Sequence, residues 1–350
     1  MNTFFGGQCC FLAESSFDLD FEGKSESALE HTIHDYKKII DNALRVQFNG
    51  DSYLSRAACK AILAGGKRTR AVLSLLSCEA TCGDYAKAMP VALSFELAHS
   101  ASLIQDDILD NSSTRHNEPA IHSMYGSVRA ILVSDYLLFS IFYELSRLQD
   151  SGVSTVKLAR ILRYVAESAK LAAKGEFSDM LARTKGSITE EEYIETAGMK
   201  TGAIFAGAAA AGAVAGGANS QVVKAMYQYG HSYGVAFQIL DDVLDFVGDP
   251  SKTGKPILKD YENHASNIVL VHALSKSSSS SIQELESSEI IPMIERNGSL
   301  EKAALLAQRF ARLARSQLKI LPDSRPKRTL DYLTHSLFAS FRIQRMEEPR

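Results

Sequence analysis

From Ser27 onward apolar residues recur at spacings of three and four, as in Leu29, Ile33, Tyr36, Ile39 and Ile40. That is the period of a helix buried along one face. Stretches of the same kind follow with few breaks over roughly 51–63, 68–80, 88–110, 118–149, 154–174, 190–215, 219–247, 264–275, 282–296, 300–319 and 325–345. Period-two alternation is hard to find, so the pattern predicts an all-α chain. Pro90 falls in a first helical turn, and Pro250 and Pro256 mark a loop. Glu190-Glu191-Glu192 after Thr189 predicts a helix start, where acids favour the dipole. The polar run Ser277 to Ser281 reads as a surface loop. No shift of composition divides the chain, which predicts one domain over 26–350 behind a loose tail, 1–25.

Two stretches end in carboxylates. Gln105-Asp106-Asp107-Ile108-Leu109-Asp110 closes one, and Gln238-Ile239-Leu240-Asp241-Asp242-Val243-Leu244-Asp245 closes another. At about 100° per residue, Asp106 and Asp110 share a face with Ser102 and His99, opposite a stripe of Leu93, Leu97, Ala101, Ile104 and Ile108. In the second, Gln238, Asp241, Asp242 and Asp245 gather in front of Ala236, Leu240, Val243 and Val247. Aspartate is a poor helix former, and carboxylates at a helix C-terminus oppose the macrodipole and repel one another. One such cluster reads equally as a solvated helix end. Two, each backed by an apolar stripe, ask for a cation. Oxygen ligands without His or Cys suit Mg²⁺, which bridges to phosphate oxygens. The pattern predicts a Mg²⁺–diphosphate site between two helices. Convergence of such distant clusters implies a single helical bundle around a central apolar cavity.

Gly65-Gly66-Lys67-Arg68-Thr69-Arg70 opens the helix that continues Ala71-Val72-Leu73. Glycines let the backbone approach a ligand, and a helix N-terminus offers free N–H groups to an anion. Lys67 and Arg70, three apart, form a cationic clamp on one face. As a mere surface feature, a basic helix start would be unfavourable for the dipole.

Composition narrows the reading. With 45% hydrophobic residues the chain can bury a substantial core, and a net charge of −3 gives no electrostatic case for nucleic acid or an anionic membrane. Cys9, Cys10, Cys59, Cys78 and Cys82 match no zinc spacing, so reduced thiols in a cytoplasmic protein are expected. Met1 to Leu12 has no basic n-region and does not read as a signal or transit peptide. No transmembrane segment is expected; the nearest approach, Gly202 to Ala218, is Ala and Gly and reads as a closely packed helix.

Taken in order, the Gly65 to Arg70 loop, the His99 helix running into Asp106 to Asp110, Lys200-Thr201, and Gln238 to Asp245 make the chain resemble the trans-isoprenyl diphosphate synthases over about residues 28 to 345. Two such acidic motifs with the basic loop are highly specific. The resemblance implies the isoprenoid synthase fold and condensation of isopentenyl diphosphate with an allylic diphosphate. It assigns Lys67, Arg70 and His99 to the diphosphate of isopentenyl diphosphate, and Arg115 with Lys200 and Lys255 to the allylic diphosphate. Asp106, Asp107 and Asp110 would hold two Mg²⁺ ions, and Asp241, Asp242 and Asp245 would hold or orient a third. Thr201 and Gln238 would lie beside the developing cation, and Glu176 and Asp179 occupy a stretch where the family usually has Gln before the Asp, which leaves a place in the site open for them. His116 stands where the family usually has a second arginine assisting isopentenyl diphosphate, and His264 at a later basic position. An imidazole donates fewer hydrogen bonds and is mostly neutral at pH 7.

In this family the fourth and fifth positions before the first Asp are bulky in short-chain enzymes. Here they are Ser102 and Ala101, with Ala98 also small and Phe95 the first large side chain further along. Products of twenty carbons or more are expected, geranylgeranyl diphosphate first, with Phe139 and Phe142 as further candidates for a plug. A terpene cyclase would not need the Lys67, Arg70 and His99 clamp. A non-catalytic regulatory subunit usually loses an acidic motif, and both are intact here. Family members are commonly homodimers, and the Ala/Gly-rich helix is a candidate interface.

Overall fold

The computed structural model describes residues 23–115, 118–185, 188–247, 266–275 and 287–338. Lys255, His116 and His264 lie outside them. The described chain is helical apart from Thr114–Arg115 and Glu118–Pro119, which pair antiparallel. The helices are α1 (Gly23–Gln47), α2 (Tyr53–Leu63), α3 (Thr69–Cys82), α4 (Met89–Leu109), α5 (Ile121–Tyr125), α6 (Ser127–Ser146) and α7 (Thr155–Lys185). They continue as α8 (Glu190–Ala197), α9 (Ala203–Ala215), α10 (Ser220–Val247), α11 (Ile268–Leu274), α12 (Ser287–Asn297), α13 (Ser299–Gln317) and α14 (Arg325–Ser336). The all-α expectation stands. The stretch expected to run as one helix over 118–149 is broken at Gly126, whose φ of +83° needs glycine.

Helix α9 is the central one, packed on α10, α3, α7 and α4. Its Ala and Gly side chains let neighbours approach closely: a Cβ at Gly212 would stand 2.2 Å from the Ser74 carbonyl oxygen of α3. The Ala/Gly-rich helix is therefore spent inside the chain, which corrects its reading as an interface. Glu190–Ala215 is continuous, and by length and mean hydropathy of 1.2 it is apolar enough to cross a membrane. Yet 83% of its apolar window is buried within the protein, as befits a core helix.

Helix α10 joins two apolar clusters. Met226, Tyr229 and Tyr233 lie in the larger core with α3, α4 and α9, whereas Ile239, Leu240 and Val243 pack with α8 and α11 to α13. Burying the apolar stripes of α4 and α10 leaves their C-terminal carboxylates at the edge of these cores. Thr189 caps α8 reciprocally with Glu192, as the sequence suggested.

Candidate functional site

Between α8 and α9 the helix widens for one turn, Gly198–Gly202, in which the Ala203 N–H bonds the Gly198 carbonyl five residues back. Such π-helical turns are rare and cluster at functional sites. This one carries Lys200 and Thr201. The Lys200 ammonium lies 2.8 Å from Glu176 and 3.2 Å from Asp179, both on α7. Burial works against the lysine's charge, but Asp179 and Glu176 outweigh it and raise its pKa. Asp179 is buried too, yet Lys200 and Arg183 hold it below the ordinary carboxylate range.

Lys200 reaches the first acidic helix end. Burial pushes the Asp106 carboxyl up to about 6, the negative field of Glu176 adds to this, and Lys200 and Arg115 oppose it. Asp110 is paired at 3.4 Å with Arg183, which also holds Asp179 at 3.1 Å. Asp107 behaves differently. It is buried, and its Oδ1 accepts from Arg115 Nε at 3.0 Å and Nη2 at 2.5 Å. Asp107 thus fixes Arg115, which departs from the ligand role expected of it.

Thr201 reaches the second end. Its hydroxyl donates to Gln238 Oε1 at 2.8 Å, and Gln238 Nε2 donates to Asp242 Oδ1 at 2.9 Å. Asp242 is buried, with its other oxygen accepting from Tyr193 OH at 2.7 Å and from Ile268 N at 3.0 Å. Its carboxylate serves a structural joint between α8, α10 and α11, a use different from the metal-ligand role expected of it. Asp241 is exposed and Asp245 half-exposed near the same helix end.

The basic loop lies at the start of α3. Gly65 and Gly66 take φ of +118° and +121°, which explains the glycine pair, and Arg68 is left-handed as well at +55°. Arg68 is held there by Asp41 at 2.8 Å, Glu96 at 3.2 Å and the Ile62 carbonyl. Glu96 also accepts from Ala71 N at 3.3 Å, tying the α3 start to α4 one turn before His99. Lys67 is exposed, and His99 half-buried. Arg70 lies 4.7 Å over the Phe205 ring. Its Nε is buried with no hydrogen-bond partner among the described residues, and burial lowers its pKa against the fields of Glu96, Tyr233 and Asp106. An unpaired buried donor there fits an anion.

Among the described residues no three His, Cys, Asp or Glu side chains gather as a metal cage. Asp106 and Asp110 alone, one turn apart, suit Mg²⁺ completed by substrate phosphates and water.

Phe95, Ala101, Ala98 and Ser102 line α4 before Asp106. Phe95 is buried against α9: a Cβ at Gly207 would stand 3.2 Å from its Cζ. Phe139 and Phe142, by contrast, are 69% and 64% exposed, so neither is a plug within this chain. Sequence reasoning passed over Glu96, Tyr193 and Arg183. Only Arg183, four residues after Asp179, carried a local signal.

Comparison with known proteins gives a consistent picture. Residues 51–303 match the family model described as polyprenyl synthetase. The chain is 35% identical over 325 residues to the short chain isoprenyl diphosphate synthase of Methanothermobacter thermautotrophicus, covering 89% of this chain and 97% of the relative. It is 33% identical over 317 residues to the geranylfarnesyl diphosphate synthase of Aeropyrum pernix, covering 87% and 96%. The crystal structure of geranylgeranyl pyrophosphate synthetase from Pyrococcus horikoshii superposes with a TM-score of 0.82 at 31% identity, covering 89% of this chain and 98% of that one.

Proposed function

Because this chain belongs to the polyprenyl synthetase family, the trans-isoprenyl diphosphate synthases, we propose that it joins isopentenyl diphosphate head to tail to an allylic diphosphate. The product is a trans-polyprenyl diphosphate of the C20+ class, geranylgeranyl diphosphate first. The observation that carries this reading is the Lys200-Thr201 turn. Two successive residues connect the surroundings of Asp106 to those of Gln238 and Asp242, so distant acidic helix ends act on one substrate.

Lys200 and Arg115 receive the allylic diphosphate and stabilise charge as the carbon–oxygen bond breaks. Asp106, Asp110, Asp241 and Asp245 would hold about three Mg²⁺ ions, which would supply positive charge to the leaving diphosphate. Lys255 is proposed beside them from its sequence position. Lys67, Arg70 and His99, with His116, fix the second diphosphate so that its double bond faces the cation. The Thr201–Gln238 pair places oxygen dipoles beside the cation, and the departing diphosphate takes the final proton. Phe95 ends the run of small side chains and limits the tail.

Assembly and place follow the same reading. One face of α6 exposes Val128, Leu132, Phe139 and Phe142, and a second copy of the chain is the partner proposed to cover it. The free thiol at Cys59 supports a reducing, cytoplasmic setting. The test is incubation of the purified chain with allylic diphosphate alone and with isopentenyl diphosphate added. Elongated diphosphates in the second mixture alone support the reading. Hydrocarbon from the first marks a cyclase, and activity only with an added subunit marks a regulatory chain.

A further inference from the structure

Lys200 and Thr201 serve opposite neighbours, so the register of the Gly198–Gly202 turn decides whether both reach them. A π-helical turn persists only where its surroundings over-determine it. Two of its sides are backbone contacts made possible by missing side chains. A Cβ at Gly175 on α7 would stand 2.4 Å from Lys200 N, and one at Gly234 on α10 would stand 2.8 Å from Gly202 Cα.

A third contact is a ring. Gly198 and Gly202, four residues apart, form a notch that receives the His231 imidazole: a Cβ at Gly198 would be 3.0 Å from Nε2, and one at Gly202 would be 3.2 Å from Cδ2. His231, Gly234 and Gln238 fall at spacings of three and four along one face of α10. That face therefore meets the turn three times, as a wedge, as a close backbone contact and as the hydrogen bond to Thr201.

We propose that His231 is a positioning residue, whose ring wedges the turn open and holds Lys200 and Thr201 in the register that meets the allylic diphosphate. The inference rests on the function proposed above and goes beyond it by naming a residue outside every motif. It predicts an effect on one substrate and not the other, because Lys67, Arg70 and His99 lie on α4 and the α3 start rather than on the turn.

The experiment is steady-state kinetics of wild type, His231→Ala, His231→Gln, Gly202→Ala and the His231→Ala/Gly202→Ala double variant, with thermal unfolding of each. His231→Ala and Gly202→Ala are each expected to raise KM for the allylic diphosphate about tenfold, with KM for isopentenyl diphosphate changed less than about twofold. The double variant should recover part of the loss, because the new methyl group enters the space the ring leaves, while the His231 carbonyl oxygen, 3.2 Å from that position, stays in place. His231→Gln, which keeps a planar polar group in the notch, should stay within about threefold of wild type. Unchanged KM values, equal rises for both substrates in step with lost thermal stability, or strictly additive losses in the double variant would each overturn the proposal. If His231→Ala does not fold, the Gly202→Ala and His231→Gln values decide by the same criteria. A wild type that elongates no substrate overturns the functional reading and this inference with it, whereas an active wild type with unselective variants overturns the inference alone.

Discussion

The Lys200 ammonium lies 2.8 Å from Glu176, whose carboxylate competes with any incoming diphosphate for that charge. Replacing Glu176 by Gln keeps the shape and removes the competing charge. Glu176→Gln should lower KM for the allylic diphosphate about threefold, a modest gain because Lys200 is partly solvated. An unchanged or higher KM would mean that Glu176 serves the substrate rather than opposing it.

Asp106 gives a pH dependence. Its carboxyl is raised to about 6 in the metal-free protein, above its value in an unfolded chain near 3.9. A group raised on folding contributes stability fully present below its unfolded pKa and lost as pH rises through its folded one. The metal-free protein should therefore lose up to about 2 kcal/mol from this group between about pH 4 and 6. Asp106→Asn should flatten that slope and stabilise the metal-free protein at pH 7.5 while abolishing turnover. Urea unfolding at pH 5 and 7.5 would read it, and equal slopes for both proteins would contradict it.

The two neighbours Asp241 and Asp242 should separate cleanly. Asp242→Ala removes the acceptor that Tyr193 OH, Gln238 Nε2 and Ile268 N share, and should cost about 3 kcal/mol in denaturant unfolding. Asp241→Ala, at an exposed position, should cost less than about 0.5 kcal/mol while lowering kcat at least about a hundredfold. Equal stability losses would show that Asp241 is structural as well.

Phe95 sits eleven positions before Asp106, about 16 Å along the helix. Phe95→Ala should lengthen the products seen by reversed-phase chromatography of the dephosphorylated alcohols. It should also cost about 3–5 kcal/mol of stability, because the ring is fully buried. An unmoved product ladder would place the limit elsewhere.

On α6, Phe139→Glu with Phe142→Glu should turn a sedimenting dimer into a monomer, since both rings are mostly exposed within one chain. A wild type that sediments as a monomer would contradict the proposed assembly.

The fold was largely legible because strict three-and-four spacing admits few readings, whereas the positive φ of Gly65 and Gly66 emerged only from the structure. Less was legible where a contact lies across the fold. Asp242 shares a broad polar arc with Asp241 and Asp245 on a helical wheel, and the partners that hold it inward include Tyr193, 49 positions away, and the Ile268 N–H, 26 positions away. Helix α7 was expected to stop near residue 174, yet it runs to Lys185, and Gly175 within it faces the Lys200 backbone, where any side chain would collide. His231 carried no signal at all, since its meaning lies in two glycines on another helix.

The central claim is that the Asp106 and Asp241 helix ends grip one diphosphate together. Calorimetric titration of a non-ionisable allylic diphosphate analogue, with and without Mg²⁺, into wild type, Asp106→Asn, Asp241→Asn and the double variant tests it most directly. Binding should need Mg²⁺, each single variant should lose at least about tenfold in affinity, and the double should lose far less than the product of the two. Strictly multiplicative losses, or tight binding without the metal, would contradict the account.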